Sequence, residues 1–265
     1  MRIFFFGDIV GKVGRQAVHL SLPILKEKYK VDFFIGNGEN ASHGRGLAKG
    51  QYEELVTYGL NAITLGNHWA DKPAIENYMD RAEALVRPLN LINFSKGSGS
   101  KVFSLNGTQI RITNILGSNM MKEEVESPFK SFASLIKNTP KTIHIVDYHA
   151  ESTSEKILFA RYFDGQASAF LGTHTHVQTA DQKILTKGSA FISDVGMTGD
   201  GEGIIGFETN SAIEKVVLGK RTPFKINERA PKMINGVLLD INEETYLANS
   251  IVRIKEVYYE KNVNS

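Results

Sequence analysis

Five short apolar runs in this chain each stop at residues able to bind a metal ion, and this recurrence constrains the fold most strongly. Ile3 to Phe6 gives way to Gly7-Asp8, and Val31 to Ile35 gives way to Gly36-Asn37-Gly38-Glu39-Asn40. Ala62 to Leu65 ends in Gly66-Asn67-His68, and Thr142 to Asp147 is followed by Tyr148-His149. The run Ala167-Ser168-Ala169-Phe170 leads into Leu171-Gly172-Thr173-His174-Thr175-His176-Val177. Runs of this kind read as buried strands. Apolar residues at helical spacing between them (Val18, Leu22 and Leu25, then Tyr52 and Leu55) give a βαβαβ order, a sheet with helices packed on its face. In open α/β sheets, sites form in the crevice beyond the carboxyl ends of the strands. Taken singly, each ending reads as turn or cap chemistry: Asp8 as a helix cap, Asn40 and Asn67 as turn residues, His149 as a structural histidine. Five such endings on one edge of a sheet point instead to a metal site.

The rest of the chain fills in around these strands. Residues 14–29 read as a helix in which Pro23 makes a kink or an early break. Asp71 before Lys72-Pro73 reads as a helix N-cap with proline in the first turn. Val102 to Leu105 and Gln109 to Ile115 read as strands paired around Asn106-Gly107. Helices are expected over Pro128 to Ile136 and from about Ser154 to Tyr162, and a strand over Ala190 to Asp194. The tail from Met233 to Tyr259 reads as strands with turns near Asn235-Gly236 and Asn242-Glu243-Glu244. Early βα units followed by late hairpins predict two stacked sheets with helices outside, in a single domain over residues 1–265.

Composition narrows the chemistry. The absence of cysteine excludes disulfides, thiolate metal sites and a cysteine nucleophile, so nitrogen and oxygen must hold any metal. The formal net charge is only +2 and no long basic block stands out, so DNA binding is not indicated. No apolar run approaches a membrane span, and Gly7-Asp8 interrupts the opening run before a signal peptide could form, which predicts a cytoplasmic protein. The candidate ligands include only two anions, Asp8 and Glu39. Two divalent ions would leave the site at about +2, favouring an anionic substrate such as a phosphate ester. Imidazole-rich N/O ligation suits iron, manganese or zinc better than magnesium or calcium. A His-x-His pair can hold one ion or serve two adjacent ions, and Glu39 is the natural bridge between ions about 3.5–4 Å apart.

Gly7-Asp8, Gly38-Glu39-Asn40, Gly66-Asn67-His68, His149 and Gly172-Thr173-His174-Thr175-His176 resemble the ordered motifs of calcineurin-like metallophosphoesterases. The sequence is more closely similar to the YmdB-like family of bacterial cyclic-nucleotide phosphodiesterases. That resemblance adds Ile9-Val10-Gly11, the His43-Gly44-Arg45-Gly46-Leu47 loop and Asp194-Val195-Gly196-Met197-Thr198-Gly199, and it runs to about residue 255. It implies a four-layer α/β/β/α sandwich and a homo-oligomer. It also implies one iron held by Asp8, Glu39, Asn40 and His176, and a second held by the bridging Glu39 with Asn67, His149 and His174. His68 is implied as proton donor. Three motifs depart from the wider superfamily. Val10 stands where a histidine is usual, Glu39 and Asn40 replace a bridging aspartate, and Trp69 follows His68 where an acidic residue often stands. The last departure leaves no evident acidic partner for His68.

The expected reaction is phosphodiester hydrolysis, with cyclic nucleotides (2′,3′ and also 3′,5′) as substrates. A metal-bound hydroxide would attack phosphorus, and His68 would protonate the leaving oxygen. His43 and Arg45 are candidates for substrate contact, with Arg45 on phosphate. His19 and His144 read as structural; Asp147 and Asp181 have no clear partners in the sequence and stay outside the site. The resemblance alone suggests that residues 194–199 support the site wall. The alternative is a metal-binding regulatory or RNA-associated protein with incidental hydrolysis, although no aromatic-basic RNA platform is visible.

Overall fold

Alternation along the first strand sets out the layers. A computed structural model of the chain describes residues 1–259; residues 260–265, the end of the expected domain, lie outside the described residues. Ile3, Phe4, Phe5 and Phe6 in strand Arg2–Phe6 are all fully buried. Successive strand side chains point to opposite faces, so both faces must be covered. Ile3 and Phe5 join Ile110, Ile112, Ile145 and Leu171 of a second sheet in one apolar cluster. Phe4 and Phe6 join Ala17, Val18, Leu22 and Leu25 of helix Gly11–Tyr29 on the other side.

The first sheet runs Asp8–Ile9, Met197–Asp200, Lys232–Ile241, Arg2–Phe6, Phe33–Asn37, Ala62–Thr64, Leu85–Val86, with Ala248–Tyr258 also paired to Lys232–Ile241. Arg2–Phe6, Phe33–Asn37 and Ala62–Thr64 are mutually parallel, so their carboxyl ends share an edge. The second sheet runs Lys183–Ile184, Ala190–Ile192, Ala169–Thr173, Ile143–His149, Thr108–Leu116, Ser100–Leu105. Its strands Ile143–His149 and Ala169–Thr173 are parallel. Outside it, Val146, Tyr148, Phe170 and Phe191 pack with Phe132 of helix Pro128–Lys137 and Phe159 of helix Thr153–Tyr162. The result is the four-layer α/β/β/α sandwich that the resemblance implies. Among the described residues no helix is long and apolar enough to cross a membrane.

Several local expectations give way to packing. Helix Gly11–Tyr29 continues past Pro23 without breaking. Pro23 and His19, whose carbonyl loses its helical partner, both face solvent, while Leu22 and Leu25 hold the opposite face in the core. Asn235-Gly236 is not a turn, because Lys232–Ile241 is one continuous strand. Gly236 is there for closeness: a Cβ at this position would lie 2.4 Å from the Phe4 ring. Asp71 does not cap the following 3-10 helix Pro73–Asn77, whose N-cap is Lys72. Its carboxylate is used elsewhere.

Candidate metal centre

The parallel strands of both sheets deliver their carboxyl ends to one place, where Asp8, Glu39, Asn40 and Asn67 of the first sheet meet His149, His174 and His176 of the second. Glu39 lies at the middle. Its Oε1 is 3.1 Å from both His149 Nε2 and Asn40 Nδ2, and its Oε2 accepts the His68 backbone N–H at 3.0 Å. On one side, His149 Nε2 lies 2.9 Å from Asn67 Oδ1 and 3.0 Å from His174 Nδ1. On the other, His176 Nε2 lies 3.1 Å from the Asn40 amide and 4.0 Å from Asp8 Oδ1. Two groups thus share one carboxylate. Gly66 permits the approach, since a Cβ there would sit 2.2 Å from Glu39 Oε2 and 2.5 Å from His149 Nε2.

Each imidazole is held from behind. The Thr173 hydroxyl donates to Asp147 Oδ1 at 2.6 Å, so it accepts from His149 Nδ1–H at 2.9 Å. His174 turns Nε2 to Glu151 Oε2 at 3.1 Å, and His176 Nδ1 donates to the Ile205 carbonyl at 2.8 Å. With the outer nitrogen of each ring engaged as a donor, the inner nitrogen is left to offer a lone pair to the centre. In the neutral form all three rings can do this, His149 and His174 on one side of Glu39 and His176 on the other.

Burial and charge reinforce the pattern. Asp8 is fully buried, and desolvation raises its pKa to about 7 although His176 and His149 pull the other way. Its Oδ1 has no hydrogen-bond partner among the described residues. Burial works against charge on Glu39 too, but the charge and hydrogen bond of His149 win and hold it at about 2. His149 in turn rises to about 9, because Glu39 and Asp8 outweigh its desolvation. Burial, then the charge of His149, depresses His174 to about 3. A buried carboxylate oxygen with no donor is costly, and beside it the His149 ring and the Asn40 amide donate to Glu39. Once His149 gives up its inner proton, the set fits divalent cations: two carboxylates, two amides and three imidazole nitrogens. The ligand atoms of Glu39, His149 and His174 all lie within 4.8 Å of one another, a spacing one ion could satisfy.

Beside this centre a cleft of about 660 Å³ is lined by His43, Arg45, His68, Phe207, Lys215 and Phe224 among others. His43 and Arg45 are therefore at the cleft, both exposed. His68 is at its wall, with Nδ1 3.0 Å from Asp71 Oδ2, and Arg45 reaches the same oxygen at 3.8 Å. So His68 does have an acidic partner, one turn downstream rather than adjacent. Asp147 also belongs to the site's support: it accepts from Thr173, Thr64 and Asn37, tying both sheets together beneath His149. Asp181, by contrast, accepts from Thr179 in its own loop and from the Ser193 N–H after strand Ala190–Ile192. Residues 194–199 stand outside the cleft lining and back the strand that carries Asp8. Strand Met197–Asp200 pairs in parallel with Asp8–Ile9, and Gly196 O accepts the Asp8 N–H at 3.0 Å. Glu151, two residues after His149, was open to a sequence reading as a partner; the Ile205 carbonyl left no signal at all.

The sequence matches the family described as YmdB-like protein across residues 4–254. The chain belongs to the YmdB-like family. It is 43% identical over 256 residues to the 2′,3′-cyclic-nucleotide 2′-phosphodiesterase of Bacillus subtilis (strain 168), covering 96% of each protein. A solved structure described as a novel phosphatase of Mycoplasma pneumoniae matches with TM-score 0.90 at 40% identity, covering 97% of this chain and 93% of that one. A solved structure of a hypothetical protein from Thermus thermophilus matches with TM-score 0.90 at 34% identity, covering 97% of this chain and 100% of that one. This YmdB-like protein is an enzyme of the phosphoesterase class.

Proposed function

We propose that the centre holds two divalent metal ions and hydrolyses phosphodiesters, cyclic nucleotides foremost: 2′,3′-cyclic and also 3′,5′-cyclic. The observation that carries this reading is the orientation of three imidazoles. The inner nitrogens of His149 and His174 meet at 3.0 Å, and that of His176 faces an Asp8 oxygen with no hydrogen-bond partner among the described residues, while acceptors engage the outer nitrogens. Asp8, Glu39, Asn40 and His176 would hold one ion; Glu39, Asn67, His149 and His174 would hold the other. Iron is the first choice, with manganese or zinc suited to the same N/O set. Bound there, such a pair supplies Lewis-acid polarisation of the phosphoryl group and an activated water.

The chain's own residues do the rest. Two anionic ligands against two dications leave a positive cavity, which attracts a phosphodiester and disfavours neutral substrates. Arg45 and His43 reach the same cleft, and Arg45 suits a phosphate oxygen. Asp71 holds His68 through Nδ1, so that in the protonated ring Nε2–H is the proton left to donate. When the P–O bond to a ribose oxygen breaks, that proton goes to the departing alkoxide, a poor leaving group without it. The name of the Bacillus relative, a 2′-phosphodiesterase, supports the 2′ oxygen as the one expelled.

The test is a turnover panel on the metal-loaded chain: bis-p-nitrophenyl phosphate, 2′,3′-cAMP and 3′,5′-cAMP. The reading predicts metal-dependent turnover of the cyclic nucleotides that Glu39→Gln abolishes. RNA or protein binding that survives Glu39→Gln, with negligible turnover, would favour the regulatory alternative.

A further inference from the structure

The backbone that carries the two histidines of the second sheet leaves the ordinary range. His174 has φ 109° and His176 has φ 65°, both in the region that side chains other than glycine's seldom adopt. Conformations of this kind persist only where surrounding structure over-determines them. Around His174 the restraint can be named. Lys156 Nζ donates to the Thr173 carbonyl at 2.8 Å, and Asp194 Oδ2 accepts the Thr175 N–H at 3.0 Å. The peptide units on both sides of His174 are thereby gripped. The two side chains also meet each other at 3.0 Å, with only 2% and 1% of their surfaces exposed.

Neither residue reaches the candidate ligands itself. Lys156 comes from helix Thr153–Tyr162, and Asp194 from the turn after strand Ala190–Ile192. The other oxygen of Asp194 accepts the Gly196 N–H at 2.8 Å, and Gly196 O accepts from Asp8 N at 3.0 Å. One ion pair therefore connects the His174 backbone to that of Asp8. Burying an ion pair commonly yields no more stability than an apolar pair of the same volume. A pair fully desolvated at this spot and bonded to both flanks of one strained residue calls for another role.

We infer that Lys156 and Asp194 are positioning residues for metal binding. They hold the peptide units flanking His174 in the conformation that aims Nδ1 at the centre, and stability is not their main contribution. This rests on the reading of His174 as a ligand. Calorimetric titration of Mn²⁺ into the metal-free full-length chain tests it, using wild type, the double variant Lys156→Met with Asp194→Asn, His174→Ala, and the three changes combined. Both charges are removed together so that neither is left buried alone.

The wild type is expected to take up two ions. The double variant should fold, with a denaturant midpoint close to the wild-type apoprotein's, yet bind one of the ions at least 10-fold more weakly. In the His174→Ala background the same two changes should alter affinity by less than 2-fold, since their effect passes through His174. Unchanged Mn²⁺ affinity in a folded double variant overturns the inference. So does failure to fold, or an equal loss in the His174→Ala background, because either outcome makes the pair a structural element. A wild-type chain that takes up no Mn²⁺ defeats the metal reading itself, before any variant is compared.

Discussion

His68 presents Nδ1 to Asp71, and Arg45 lies 3.8 Å from the same carboxylate oxygen, so three side chains on two loops meet at the mouth of the cleft. A donor held this way matters most when the leaving oxygen is poor. His68→Ala is expected to lower kcat on 2′,3′-cAMP by about 10²–10³-fold. Turnover of bis-p-nitrophenyl phosphate, whose leaving group needs no proton, should change by less than about 10-fold. Asp71→Asn should follow the same selectivity with a smaller loss, at unchanged metal content. Equal losses on both substrates would remove His68 from proton donation. All seven candidate ligands were legible in the sequence because each stands at a strand's carboxyl end. Asp71 was not, since its place before Lys72-Pro73 has the form of a helix cap. Nor was Asp147, whose partners Thr64 and Asn37 lie on other strands and come near only through sheet packing.

At the scale of elements, strand Ile143–His149 carries two histidines with opposite fates. His149 rises toward the charged form beside Glu39, whereas burial and the charge of Arg111 push His144 down to about 3. His144 packs against Phe132 and bonds Thr113 Oγ1 at 2.8 Å. Unfolded, it would take up a proton near pH 6.5, so between that pH and about 3 the unfolded chain binds the extra proton. Stability therefore falls as pH drops through this window, by up to about 1.4 kcal/mol per unit from this group. Denaturant titrations at pH 7 and pH 5 should show a smaller loss for His144→Gln than for wild type; equal losses would contradict the assignment. The excursion between strands Met197–Asp200 and Lys232–Ile241 adds an aromatic lip to the cleft. Phe207 and Phe224 stack at 4.9 Å, with Lys215 Nζ 4.3 Å from the Phe224 ring centre. Base–aromatic stacking contributes roughly 1–3 kcal/mol. Phe224→Ala should accordingly raise KM for 2′,3′-cAMP by about 10-fold and leave glycerol 1,2-cyclic phosphate, which has no base, unaffected. A matching change on both substrates would show that the lip does not read the base. Hydrophobic period gave the strands and most helices correctly. It could not foresee Gly236, whose role is contact with Phe4 rather than a turn.

Across the whole molecule, the site exists only because two sheets stack with their carboxyl ends aligned. The first contributes both carboxylates and both amides, and the second contributes all three imidazoles. Neither sheet alone could hold the set. The apolar cluster of Ile3, Phe5, Ile35, Ile112, Ile145 and Leu171 fixes their alignment. The stacking was readable as a class from the order of the elements. The strained turn through His174 and His176 was not, because simple alternation past a strand end gives no warning of positive φ. Metal content measured by elemental analysis, on wild type and Glu39→Gln purified side by side, tests whether Glu39 joins two ions. Two equivalents in the wild type, a clear deficit in Glu39→Gln and a parallel loss of cyclic-nucleotide turnover are expected. Full turnover by a chain holding no metal, or undiminished metal in Glu39→Gln, would contradict a dinuclear centre bridged by that residue.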